Sequence, residues 1–143
     1  MIELRIAEAG DASSINEFDI FLGDRETEIQ RREIVVAKWN STIAGYLRLH
    51  RDFFAKPFIA LLIVKKEFRR KGIAESLMKA AEELCAKDER IFTSTESFNI
   101  EMIRLLDKLG YRPCGVVDHI QKEAEIFFSK ELKQNSGVRE NNS

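Results

Sequence analysis

Val64-Lys65-Lys66-Glu67-Phe68-Arg69-Arg70-Lys71-Gly72-Ile73-Ala74 is the stretch that decides how this chain is read. Behind it, residues 57 to 64 (Pro-Phe-Ile-Ala-Leu-Leu-Ile-Val) form a nearly unbroken apolar run, the pattern of a strand covered on both faces. Ahead of it, Ile73, Leu77, Ala80, Ala81 and Leu84 recur at helical spacing, with Lys79, Glu82, Glu83 and Lys87 outside. A buried strand therefore passes through a short basic turn into an amphipathic helix. The first amides of such a helix have no partner within it and point outward as donors. The helix dipole adds about half a positive charge at that end. Gly72 has no side chain to hold an anion off the backbone, and Arg69, Arg70 and Lys71 place three cations beside those amides. Together these can cradle a diphosphate. A solvated basic turn reads the same way from sequence alone. Neither G-x-x-x-x-G-K-[ST] nor G-x-G-x-x-G is present.

Outward from this turn, the expected elements alternate between strand and helix. Ile2, Leu4 and Ile6 alternate with Glu3 and Arg5 as a half-buried strand does. A helix is expected after Asp11, an N-cap candidate, with Ile15, Phe18 and Leu22 on one face; a second runs from Arg25 to Arg32. Strands follow at about 33–39 and 42–50, joined by the turn Asn40-Ser41. After the helix that begins at Gly72 come a strand at 91–95, a helix at 99–109 closed by Gly110, and strands at 111–117 and 124–131. The expected order is β-α-α-β-β-β-α-β-α-β-β, an α/β (α+β) mixed sheet. The middle β-α-β passage calls for parallel strands with a right-handed crossover.

With 143 residues the chain fits one domain, expected over 1–132, and the polar residues 133–143 read as a disordered tail. A net charge of -1 gives no bias toward nucleic acid or anionic membrane, so any basic site is local. There is no membrane-length apolar run and no signal-peptide layout at the start. Cys85 and Cys114 lie in no metal-ligand spacing, and Cys85 falls on an apolar helical face as a buried thiol. A reduced, cytoplasmic protein without a metal is the simplest expectation.

The motif R-x-x-G-x-A at Arg69 to Ala74, after a strand ending at Val64, resembles the coenzyme-A signature of the GNAT superfamily of N-acetyltransferases. Asn99 followed by Lys108-Leu109-Gly110-Tyr111 resembles that family's N-x8-K-x-G-[FY] ending of the fourth helix. The resemblance spans residues 2 to about 132. It implies acetyl-CoA as co-substrate and backbone groups of Leu62 and Val64 pairing with the pantetheine arm. Amides from Arg70 through Lys71, Gly72 and Ile73 to Ala74 would bind the pyrophosphate beside Arg69. Asn99 would hydrogen-bond the cofactor arm and Lys108 would approach its phosphates. Each of these two has a plain alternative: Asn99 is a good N-cap, with Phe98 and Ile103 as a hydrophobic staple, and Lys108 favours the helix dipole.

The chain also departs from the family pattern. Where many members carry a tyrosine that protonates the departing thiolate, this chain has Leu106. Such an acid contributes about 10²–10⁴-fold, yet a thiolate of pKa about 8.5 can leave without one. Tyr46, Ser97 and Tyr111 remain as weak catalytic candidates. His50 is a poorer one, and Glu67 suits a structural role. No carboxylate lies in residues 57–64. The acceptor implied is a primary amine on a small molecule, peptide or protein. Glu17, Asp19, Asp24, Glu26, Glu28 and Glu33 against Arg25, Arg31 and Arg32 would suit a cationic acceptor, or form a solvated helix face. Direct transfer in a ternary complex is expected, since no activated cysteine or Ser-His pair is visible. A longer acyl donor, or a CoA-binding module with little transfer, stays open. So does a homodimer using Phe127-Phe128.

Overall fold

Strand β1 (Ile2–Ile6) pairs antiparallel with β2 (Ile34–Trp39), Ile2 opposite Trp39 and Ile6 opposite Val35. Between them in sequence come helices α1 (Asp11–Asn16) and α2 (Arg25–Gln30). Strands β3 (Thr42–Phe53) and β4 (Lys56–Val64) follow, then a 3-10 turn (Lys66–Phe68) and α3 (Ile73–Leu84). Strand β5 (Arg90–Glu96), α4 (Ile100–Lys108), β6 (Arg112–Val117) and β7 (Glu125–Glu131) complete the order. Apart from the 3-10 turn, this is the expected mixed α/β succession. The computed structural model describes residues 1–132; the tail 133–143, expected to be disordered, lies outside them. The described residues form two compact units, Met1–His50 with Ile59–Glu83 and Arg51–Phe58 with the described residues from Leu84 on.

In the first unit the strand order is β1-β2-β3-β4. β2 is buried on both faces, and Ile34 and Val36 join Ile15 of α1, Ile29 of α2, Ile43 and Tyr46 in one apolar cluster. Asn40 and Ser41, with φ of 49° and 76°, make the two-residue turn whose twist matches a hairpin. The register of β2 against β3 shifts at Ala37/Lys38, which leaves Ala44 as an extra residue on β3.

Both early helices are shorter than expected. α1 stops at Asn16: Asp19 turns its carboxylate toward Tyr46 and Arg25, drawing the chain out of helical register. Phe18 still packs on the cluster, but Leu22 is 98% exposed. Asp11 is not the N-cap; it lies in the first turn, where it accepts the Glu8 amide and both terminal nitrogens of Arg5. α2 ends at Gln30 because Arg32 takes a φ of 60°, with its amide bonded to Ile29 O and that of Glu33 to Glu28 O. This is a left-handed stop made without glycine.

In the second unit β7 lies between β5 and β6, antiparallel to both. The β3–β4 hairpin ends here in Phe54-Ala55, both at positive φ, beyond the expected end of β3 at residue 50. Stacking explains the extension: the Phe53 ring packs 4.7 Å from Phe58 and 5.8 Å from Phe127. Phe128 is buried in the core, whereas Phe127 belongs to this partly exposed aromatic cluster. Every residue of β6 is exposed, and Pro113 there costs no ladder in a strand paired on one side only. Leu84 is exposed rather than inward, because the chain leaves α3 there. Cys85 is buried as expected, and burial pushes its thiol up to about 11.

Candidate cofactor and acceptor sites

The first unit presents the basic turn openly. Arg69, Arg70, Lys71 and Gly72 are all exposed, and Ile73, buried, anchors the start of α3 beside them. Gly72 closes the first helical hydrogen bond, its carbonyl accepting from Ser76 at 3.0 Å, so the amides of the first turn lack helical partners. Arg70 and Gly72 both have positive φ, 64° and 79°. For arginine that conformation costs about 1–2 kcal/mol, so the turn holds a shape its sequence resists. A Cβ built on Gly72 would meet nothing within 4 Å, which leaves room for a ligand atom against the backbone. Exposed donors, an unfilled space and three adjacent cations are what a diphosphate requires. These residues fit such a group.

The cations are not equivalent. Arg69 Nε donates to Val64 O at 3.3 Å, tying the turn back to the end of β4. Lys71 Nζ stands 5.0 Å from the centre of the Trp39 ring. Arg70 projects from the left-handed position. Leu62 and Val64 of β4 are half-buried. Their position depends on Gly45, which sequence reading passed over. A Cβ there would lie 2.7 Å from Ile63 O and 3.2 Å from Val64 Cα, and beside it the Lys65 amide donates to Ala44 O at 2.7 Å. The available signal was an isolated glycine inside a strand pattern, which often marks close backbone approach.

Tyr46 is fully buried, donates to Asp19 Oδ1 at 2.7 Å and accepts from Arg25 Nε at 3.1 Å. Burial, then the bond to Asp19, pushes its phenol well above the ordinary tyrosine range. Its hydroxyl is thus occupied and hard to ionise. Arg25 also binds Asp19 Oδ2 (2.8 Å), Glu28 Oε1 (2.7 Å) and the carbonyls of Phe21 and Leu22. Arg48 takes Glu33 at 3.0 Å and Glu28 at 3.5 Å. Most of the acidic excess of residues 17–33 is therefore consumed internally. Glu26 stays exposed, and Asp24 caps α2 through the Thr27 amide and hydroxyl. Those two, with Asp19 and Phe21, line a cavity of about 460 Å³.

In the second unit Asn99 caps α4, its Oδ1 accepting from the Met102 amide at 3.2 Å, and it remains exposed. Phe98 is half exposed and Ile103 partly buried. At the other end Gly110 has a φ of 93°, with its amide bonded to Asp107 O and that of Tyr111 to Leu106 O. That paired closure carries the expected left-handed stop. Lys108 is exposed in the last turn. Leu106 is fully buried, so the residue in the usual acid position is core. Tyr111 is buried with Lys130 Nζ 5.7 Å from its ring. Ser97 is half-buried just after β5, its amide bonded to Ala124 O. Among the described residues no group of three or more His, Cys, Asp or Glu could hold a metal ion.

Comparison with known proteins accords with this geometry. An acetyltransferase of the GNAT family from Bacillus cereus ATCC 10987 is 26% identical, with a TM-score of 0.82 over 94% of this chain and 99% of the other. The ribosomal-protein-S18-alanine N-acetyltransferase of Escherichia coli gives 0.79 at 13% identity, covering 94% and 96%. Arabidopsis thaliana Naa50, in complex with the bisubstrate analogue CoA-Ac-MVNAL, gives 0.76 at 18%, covering 92% and 99%. A search of the curated proteins finds no match. The profile of the acetyltransferase (GNAT) family matches residues 2–111, the span that holds the basic turn, the capped fourth helix and the strand between them. The chain belongs to the acetyltransferase (GNAT) family.

Proposed function

We propose that this acetyltransferase moves the acetyl group of acetyl-CoA directly to a primary amine of low pKa, an α-amine, within a ternary complex. The observation that carries the cofactor assignment is the open turn at Arg69 to Ala74, with its space beside Gly72. The turn holds the pyrophosphate, and β4 near Leu62 and Val64 offers backbone groups to the pantetheine arm. In the transfer a C–N bond forms as the thioester C–S bond breaks. The amine gives up its proton, and the thiolate leaves with the electron pair.

The choice of amine follows from the groups at a few described positions. Residues 57–64 contain no carboxylate, the Tyr46 phenol is held by Asp19 and Arg25, and Leu106 is apolar. Deprotonating a lysine-like amine at pH 7 costs roughly 4–5 kcal/mol, against about 1–1.5 kcal/mol for an α-amine. With no carboxylate in residues 57–64 and the Tyr46 phenol occupied, the α-amine is the acceptor that water can deprotonate. The Escherichia coli alanine enzyme and the peptide analogue bound to Naa50 name acceptors of this kind. Glu26 and Asp24 at the cavity between α1 and α2 suit the acceptor's positive charge.

Thiol release from acetyl-CoA, followed with a panel of α-amines and lysine-like amines across pH 6 to 9, tests the reading. The expected result is preference for α-amines throughout. Preference for the high-pKa amine refutes the acceptor class. CoA binding without thiol release for any amine leaves a cofactor-binding module. Faster release from longer acyl donors changes the donor.

A further inference from the structure

Trp39 is the only tryptophan of the chain, and it stands against the phosphate turn. It is the last residue of β2, and its backbone is fixed from both sides, opposite Ile2 of β1 and Thr42 of β3. The tight turn at Asn40-Ser41 holds that register. The Trp39 backbone is thus held in the sheet, and the residue is half-buried. Lys71 is the opposite case, an exposed four-carbon side chain in a turn, with many rotamers open to it. Its ammonium nevertheless rests 5.0 Å from the ring centroid, within the range of cation–π attraction. The other two cations of the turn are placed by different means: Arg69 is bonded to Val64 O, and Arg70 projects from a left-handed backbone.

We propose that Trp39 is a positioning residue for the cofactor: its ring face holds the Lys71 ammonium in place before the pyrophosphate arrives. The inference rests on the turn being the coenzyme-A cradle. A lysine held in advance loses less rotamer freedom when the ligand binds, so the benefit falls on affinity. It does not reach the acetyl-transfer step, which takes place at the thioester rather than the pyrophosphate. The attraction at an exposed site corresponds to roughly two- to five-fold in binding.

The test uses the full chain with acetyl-CoA and CoA, in wild type, Trp39→Leu, Trp39→Phe, Lys71→Met and the Trp39→Leu/Lys71→Met double variant. Trp39→Leu should raise KM for acetyl-CoA about two- to five-fold with kcat unchanged, and Lys71→Met, which removes the cation itself, should raise it at least as much. Trp39→Phe keeps a ring face and should stay within about twofold of wild type. The double variant should be no worse than Lys71→Met alone, because both changes remove one coupled pair. CoA should alter Trp39 fluorescence in wild type and much less in Lys71→Met, a readout that does not depend on whether Trp39→Leu folds. Normal KM in Trp39→Leu, multiplicative effects in the double variant, or equal fluorescence responses in wild type and Lys71→Met would each overturn the inference alone. Absence of CoA binding to wild type would remove the cradle and this inference with it.

Discussion

Replacing Arg25 with methionine should remove a large part of the stability of the first unit, and the effect can be worked from its contacts. The guanidinium makes five hydrogen bonds: to Asp19 Oδ2, the Tyr46 hydroxyl, Glu28 Oε1 and the carbonyls of Phe21 and Leu22. The Arg25 side chain is 3% exposed, and those of Asp19 and Glu28 are each 8% exposed. Methionine fills a similar volume, so the loss is mainly the buried Asp19 carboxylate left without its cation, with Glu28 left to Arg48 alone at 3.5 Å. Breaking a buried pair this way costs about 3–5 kcal/mol. At roughly 3–4 °C per kcal/mol for a chain of this size, Tm should fall by about 10–20 °C. The loss should also depend on pH. In wild type, burial raises the Asp19 carboxyl, but bonds from Tyr46, the Phe21 amide and Arg25 outweigh it and hold it below the ordinary range. A depressed folded value means this stabilisation is present above about pH 4 and disappears as pH falls through the folded value. In the variant Asp19 lacks the cation that favoured its charged form, so protonating it costs less there than in wild type. The gap between the two melting curves should therefore stay constant from pH 7 to pH 5 and narrow as pH falls below about 4. Differential scanning calorimetry reads both effects. A melting temperature within about 3 °C of wild type, or a gap that does not change with pH, would refute the account of Arg25 as a paired hub.

Gly45→Ala should cost about 1–3 kcal/mol by urea unfolding and raise KM for acetyl-CoA, since the new methyl group pushes Ile63 and Val64 away from β3. Asn99→Ala should lose about 0.5–2 kcal/mol with the cap, whereas Asn99→Asp should keep the stability. Weaker acetyl-CoA binding in Asn99→Asp would then separate cofactor contact from capping, and unchanged binding would leave capping alone. Thiol-specific labelling at pH 7.5 should modify exposed Cys114 first, with Cys85 reacting only after denaturation, because its thiol is buried and pushed up to about 11. Equal labelling of both cysteines in the native protein would contradict that burial.

What the sequence determined by itself was local and periodic. Apolar runs and helical spacing place the elements in order, and Gly72, Asn99 and Gly110 mark where α3 and α4 start and α4 stops, because those signals act within a few residues of chain. Such signals were weaker in α1, where Leu22 keeps the helical spacing but lies in the loop, and at Phe54-Ala55, a turn without its usual residues. The tertiary structure decided the rest. Arg25 neutralises acids that look available in sequence, Gly45 admits β4 to within contact of β3, and Trp39 meets Lys71. The physical reason is the same in each case: a side chain's free charge and its position depend on partners remote along the chain. Burial makes those partners strong, and periodicity carries no record of them.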